Sequence, residues 1–316
     1  MGSSQRKIYK SNVVVVGGCG FLGSHLVEHL IEDRKCNVIV LDNLITGKLE
    51  YLHPKAKFIW CDITHSEMQL IKIFKQYKID YVFNYSAEPY IPVSFERPVH
   101  VFDINARGAL FVINASQEAG VKGILQVSSA EIYGDAPEYK INEEYPARPH
   151  STYGASKLAI DMLVQSRWRE AKTPCISLRQ FNCIGERETH PYVVTTIIEQ
   201  LAKSKTIKLG NNSFRDFQYA GDAVRMATEL LEKGQFGEVY NMGSEEGVKM
   251  YYLAKMLGAV KVIKDKKRVR PWEIWHLQSD NSKLYGVIDY RPKVNLKDAL
   301  KRTVKYFKDN GNKWDF

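Results

Sequence analysis

The sequence predicts an α/β protein, a doubly wound parallel sheet with a smaller C-terminal lobe. Strand-like apolar runs alternate with segments of helical period from Asn12 onward, and a glycine-rich turn joins the first strand to the first helix. After about Thr189 the rhythm loosens, with no Pro/Gly/Ser-rich linker between the two parts. Parallel strands need crossover connections, and right-handed crossovers place helices on both faces of the sheet.

The elements follow in order. "NVVVVGG" reads as a buried parallel strand, and 21–32 carries Leu22, Leu26, Val27, Leu30 and Ile31 at helical spacing. "NVIVLDN", "KFIWCDI", "DYVFNYS" and "GILQVSS" repeat the strand pattern, with helical stretches at 67–76 and 105–119 between them. A helix over 153–170 and the strand "CISLRQF" come next. Beyond them lie a helix at 193–203, short strands "TIKL" and "DFQYA", a helix from Asp222 and a closing helix from Leu296. "MGSS" resembles an expression leader, so residues 1–10 are set apart as a leader, 11–188 as the sheet domain and 189–316 as the lobe. No internal repeat appears.

The bulk numbers exclude several classes. The 316 residues are 44% hydrophobic and 26% charged, an ordinary composition for one large domain or a domain with a smaller lobe. No apolar run approaches the roughly 20 residues that span a bilayer, and no signal-peptide pattern opens the chain. A cytoplasmic protein with no membrane partner is expected. The five cysteines are scattered without a C-x-x-C pair, which argues against a disulfide framework or a structural zinc site. A net charge of +9 favours an anionic ligand. Its densest run, "KVIKDKKRVR", lacks the interleaved aromatics that stack bases, so it reads as a solvated lysine-rich face rather than a nucleic-acid surface.

"VVVVGGCGFLGSHL" sets Gly18, Gly20 and Gly23 in G-x-G-x-x-G order between a strand and a helix. Such a loop lets backbone amides approach a diphosphate, whose charge then sits at the positive end of the helix; a Cβ would block that approach. Asp42 closes the second strand about 20 residues beyond, where a carboxylate accepts from both ribose hydroxyls and repels a 2′-phosphate. The pattern is Rossmann-like and predicts NAD rather than NADP. Asp62, closing "WCDIT", is a second candidate for the adenine end, although a turn residue of that kind is common.

"STYGASK" puts Tyr153 and Lys157 one turn apart on one helix face. A phenol with a pKa of about 10 is a poor base at neutral pH. A nearby lysine and a positively charged nicotinamide ring would lower that pKa and let Tyr153 take a proton from a substrate hydroxyl.

With these motifs the chain resembles an extended short-chain dehydrogenase/reductase of the NAD-dependent nucleotide-sugar epimerase/dehydratase kind, over nearly its whole length. Gly17, Gly20 and Gly23 match the family's glycine loop, Tyr153 and Lys157 its catalytic pair, and Ser129 its catalytic Ser/Thr. The resemblance implies that Phe21, Leu22, Asn43, Ile63, Ser86 and Ala87 lie along the cofactor with Asp42 and Asp62. "RQFNCIG" resembles the segment whose asparagine, here Asn182, lies beside the sugar diphosphate. "SFRDFQYAGDA" resembles the one whose arginine, here Arg215, binds that diphosphate. "RPWEIW" is similar to an R-P-G-D element, which gives Arg270 a phosphate and Glu273 a ribose. The loop "NYSAEPYIPVSFERP" lies where the switch point of such a sheet puts ligands, and its Glu88 to Ser94 could touch the sugar or, through an aromatic and two prolines, only stiffen the loop. The family likeness also implies a homodimer formed through the helices at 105–119 and 153–170.

The implied chemistry begins with removal of the sugar C4 hydrogen as hydride while the tyrosine takes the 4-hydroxyl proton. The outcome then differs among members. In "SSAEIYG", Glu131 stands where dehydratases carry the base that removes the C5 proton, and where epimerases have a small uncharged residue. Ala130, by contrast, cannot protonate a leaving hydroxyl, so either Glu131 serves as both base and acid, through a syn elimination, or the enzyme does not dehydrate; Ser129 and "YGASK" are more epimerase-like. A 4,6-dehydratase is therefore set narrowly ahead of a 4-epimerase. A sugar-acid decarboxylase, for which Arg187 is an available carboxylate holder, a 4-dehydrogenase and a non-catalytic NAD-binding protein are the remaining readings. Glu131 as a loop residue bonded to nearby backbone stays open too.

Overall fold

Val13 and Val15 turn to one face of the first strand and Val14 and Val16 to the other, and all four are buried. A strand covered on both faces has no side that must be polar, which explains the unbroken valine run. The computed structural model describes residues 6–136, 139–269 and 272–311. In chain order its strands are β1 (Asn12–Val16), β2 (Asn37–Asp42), β3 (Lys57–Trp60), β4 (Tyr81–Asn84), β5 (Gly123–Ser129), β6 (Cys175–Gln180), β7 (Asn182–Ile184), β8 (Thr206–Leu209), β9 (Phe214–Tyr219), β10 (Val239–Met242), β11 (Gly247–Lys249), β12 (Lys261–Lys264) and β13 (His276–Leu277).

Seven of them form a parallel sheet in the order β10-β6-β5-β4-β1-β2-β3. Helix α1 (Phe21–Glu32) packs Leu26 and Leu30 against one face. Helices α2 (Glu67–Gln76), α5 (Gly108–Glu118) and α6 (Thr152–Ala171) bury Phe74, Val112 and Val164 against the other. Each such side chain contributes about 1.5–3 kcal/mol on burial, so the two apolar faces set strand register. Strands β1 and β4 are neighbours whose chains continue to opposite sides, to β2 and to β5. A crevice opens at the carboxyl ends of such a pair. The smaller lobe is a sheet of β11, β9 and β13, with β7 on β9, and a pair of β8 and β12. Its core joins Ile197 of helix α7 (Val193–Lys203) to Leu300 of the helix Leu296–Asn310.

Three expectations change. Residues 6–10 are not a detached leader: Ile8 is fully buried, its amide donates to Glu232 (2.8 Å), and Arg6 Nε donates to the Leu231 carbonyl (2.8 Å). The first five residues lie outside those described. The boundary at 188 is crossed in both directions. β10 and helix α8 (Ala220–Lys233) return to the central sheet, because β6 offers an open parallel edge and α1 an apolar flank, while β7 leaves it for the lobe. The stretch beyond β4 is not all loop. It holds the short helices α3 (Ile91–Glu96) and α4 (Pro98–Phe102), with Pro92 and Pro98 in first turns, where a missing N–H costs nothing. Among the described residues no helix is long and apolar enough to cross a membrane. All five cysteines are free, and only Cys183 is not fully buried.

Candidate active site

One cavity of about 270 Å³ runs across the carboxyl ends of β1, β2, β4 and β5. Gly17, Gly20, Phe21, Leu22 and Gly23 line one end. Gly17 has φ +75, and a Cβ on Gly23 would stand 2.0 Å from the Gly17 carbonyl oxygen, so the turn closes this tightly only with glycine there. Gly18 does not line the cavity. Its missing side chain makes room for Val40 of β2. Helix α1 begins at this turn with no side-chain cap and no acid in its first turn, which leaves its amides to an anion.

Asp42 sits at the cavity wall with its carboxylate held by the amides of Cys19 and Leu44, both at 2.9 Å. Burial pushes that carboxyl up, and the two amides pull it back. A carboxylate has about four lone-pair sites, so two remain for ribose hydroxyls. Asn43 donates to Asp62 (3.0 Å), and both line the cavity with Ile63, Ser86 and Ala87. The tight glycine turn, the uncapped helix end and the buried aspartate together fit a dinucleotide with a free 2′-hydroxyl.

The other end is built by β5, a turn and α6. Ser129 ends β5, and its Oγ accepts from the Glu131 amide (3.2 Å), opening the 3₁₀ turn Ala130–Tyr133. Ser151 caps α6 by accepting from the Gly154 amide (3.0 Å), so Tyr153 and Lys157 stand on the helix's first turns. Ser129, Ala130, Glu131, Tyr153 and Lys157 all line the cavity. Burial pushes the Tyr153 phenol well up, the Ser129 hydroxyl pulls it down, and the charges of Glu131 and Glu88 push it further up. Lys157 donates to the Val127 carbonyl (2.9 Å) and lies 5.8 Å from the Tyr153 ring centre. Desolvation pulls its ammonium down to about 8 against the attraction of Asp161.

Glu88 and Asn182 also line the cavity. Ser94 does not, because its hydroxyl turns back to the Ile91 carbonyl. Arg215 and Glu273 are brought to each other instead, 3.6 Å apart, with the Arg215 guanidinium donating to the carbonyls of Phe214 and Ile274. A buried guanidinium must find acceptors, and neither Arg215 nor Glu273 is among the residues that line the cavity. Arg270 lies outside the described residues. Arg187 is not available as a carboxylate holder: it pairs with Glu28 of α1 (2.7 Å) and His25, and among the described residues no arginine lines the cavity.

Sequence reasoning missed Asn105, Thr189 and Tyr192. Thr189 and Tyr192 line the cavity from an aperiodic stretch with no pattern to find them by. Asn105 reads in sequence as a helix start. It lies inside a π-helical turn, Asp103–Arg107, fully buried, where it accepts from the Glu88 amide (2.9 Å) and donates to Ser156 Oγ (3.0 Å).

Residues 13–243 match the model of the NAD dependent epimerase/dehydratase family. A mouse dTDP-D-glucose 4,6-dehydratase is 30% identical, over 97% of this chain and 91% of its own length. The crystal structure of the UDP-glucose 4-epimerase of Thermotoga maritima with UDP-glucose superposes with a TM-score of 0.87 at 31% identity, covering 94% of this chain and 99% of that one. A dTDP-glucose 4,6-dehydratase from Streptomyces venezuelae, solved with NAD, has a TM-score of 0.87 at 25% identity, covering 96% and 99%.

Proposed function

The chain belongs to the NAD dependent epimerase/dehydratase family, and from that premise we propose that it is a nucleoside-diphosphate-hexose 4,6-dehydratase. It is an NAD-dependent enzyme of nucleotide-sugar modification; the narrower reaction rests on Glu131. That carboxylate lines the cavity close enough to Tyr153 for its charge to act on the phenol, where a base could reach the carbon next to the oxidised one.

The glycine turn and Asp42 would hold NAD, which would supply an acceptor for hydride from C4 and a donor for its return. Tyr153 takes the 4-hydroxyl proton, and Ser129, beside the phenol, holds that oxygen. The Lys157 ammonium favours the phenolate. Once C4 is a ketone the C5 proton is acidic, and Glu131 removes it. Asp42 and the amides of the glycine turn hold the dinucleotide, and Asn182 borders the sugar diphosphate. The protein is proposed to act as a homodimer.

A 4-epimerase is the second reading. Ala130 supports it, since the position beside Glu131 offers no acid to the cavity. The test is turnover of a panel of UDP-, GDP-, dTDP- and CDP-hexoses in deuterated water, read by mass spectrometry and proton NMR. Loss of one water with deuterium at C5, abolished by Glu131→Gln, is the expected result. Inversion at C4 with no solvent label, unchanged in Glu131→Gln, would overturn it in favour of the epimerase.

A further inference from the structure

A dehydration needs a proton on the departing hydroxyl, and Ala130 cannot supply one. Among the described residues, one further carboxyl group lines the cavity at the catalytic end. Glu88 lines the cavity from the segment after β4, and its charge, like that of Glu131, acts on the Tyr153 phenol. Two carboxyl groups on different elements therefore converge on one tyrosine.

The placement of Glu88 is built. Asn105 accepts from its amide (2.9 Å) and donates to its carbonyl (3.3 Å), then donates to Ser156 Oγ (3.0 Å), whose hydroxyl donates to the Tyr153 carbonyl (2.7 Å). All four of these residues are buried. The backbone of Glu88 is thus registered to the backbone of Tyr153 through two side chains. The Glu88 carboxylate accepts from the Tyr90 amide (3.2 Å), and His190 Nε2 stands 3.9 Å behind it, its ring stacked on Tyr90.

Resting on the dehydratase reading, we propose that Glu88 is the acid that protonates the departing C6 hydroxyl of the sugar. In this step the C5 proton passes to Glu131, the C5–H electron pair becomes the second C5–C6 bond, the C6–O bond breaks, and the Glu88 proton converts the leaving hydroxyl to water. No electrons enter or leave. Burial pushes the Glu88 carboxyl up, toward the protonated form the step requires, while the Tyr90 amide and the charges of His100 and Arg97 oppose it.

The experiment uses the full chain with bound NAD and whichever panel sugar loses water, in deuterated water, comparing the wild type with Glu88→Gln and Glu88→Asp. Gln keeps an oxygen for the Tyr90 amide, and equal melting temperatures and NAD content check that the fold is intact. In Glu88→Gln, water loss should fall by about 100-fold or more, while deuterium still enters C5 of unreacted sugar at a rate within about tenfold of wild type. Glu88→Asp should recover part of the water loss. Undiminished water loss in Glu88→Gln overturns this assignment alone, as does joint loss of C5 exchange and water loss, which would make Glu88 a substrate holder. A wild type that dehydrates no sugar overturns this assignment and the proposed function together.

Discussion

Lys157 keeps its ammonium almost entirely out of water, and desolvation pulls its pKa down to about 8 from a usual 10.5. The sign of the consequence follows from proton binding. Below about pH 8 both the folded and the unfolded chain hold this proton, and the group adds no slope. Between about 8 and 10.5 only the unfolded chain holds it, so stability rises with pH, by about 3 kcal/mol in all. Urea unfolding of the wild type and Lys157→Met at intervals from pH 7.5 to 10.5 should show the wild-type stability gaining on the variant by that order. A difference that stays flat would mean that the ammonium is well solvated. This residue was legible in sequence because Tyr153 and Lys157 lie in one helical turn; the depth of its burial was not, since β5 and α6 close over it from 30 residues apart.

Among the elements, α6 is fastened to the sheet by a buried ion pair. Arg179 Nε of β6 donates to Asp161 of α6 (2.8 Å), Ser177 donates to the same carboxylate, and Arg179 also donates to the Tyr133 hydroxyl (2.8 Å). Tyr133 belongs to the turn that carries Glu131, so one network holds both halves of the catalytic end. Asp161→Ala leaves a guanidinium buried without its counter-charge and should cost about 3–5 kcal/mol in urea unfolding. A loss under about 1 kcal/mol would show that the pair is not desolvated. The regular elements were readable from local pattern alone: the valine run, the helix over 153–170, the glycine turn at Gly20 and Gly23. Helices α3 and α4 were not, because two prolines in a short segment look like a stiff loop until a first-turn position removes their cost.

At the scale of the molecule, helices α3, α4 and α6 leave a patch uncovered. Phe95 is 42% exposed, Val99 73%, Phe102 44% and Met162 49%, and α3 and α4 both pack on α6. The sequence resemblance implies a homodimer through the helices at 105–119 and 153–170; of these four residues Met162 lies on the second of them, and Phe95, Val99 and Phe102 lie on helices packed against it. Light scattering at micromolar concentration should return twice the 36.3 kDa of one chain, and a Val99→Glu, Met162→Glu double variant should return a single chain's mass. A monomeric wild type would end the dimer proposal.

What the sequence determined by itself was whatever depends on neighbours in the chain: strand and helix period, the glycine turn, Asp42 at a strand end, Tyr153 with Lys157, and the Ser129–Glu131 spacing. What only the tertiary structure decided were the pairings made across long separations. These include the return of β10 to the sheet beside β6, the Arg215–Glu273 contact, and the Glu88–Asn105–Ser156 clamp. Periodicity records which side of an element is apolar, whereas a buried polar group is satisfied by whichever partner the packed chain brings to it.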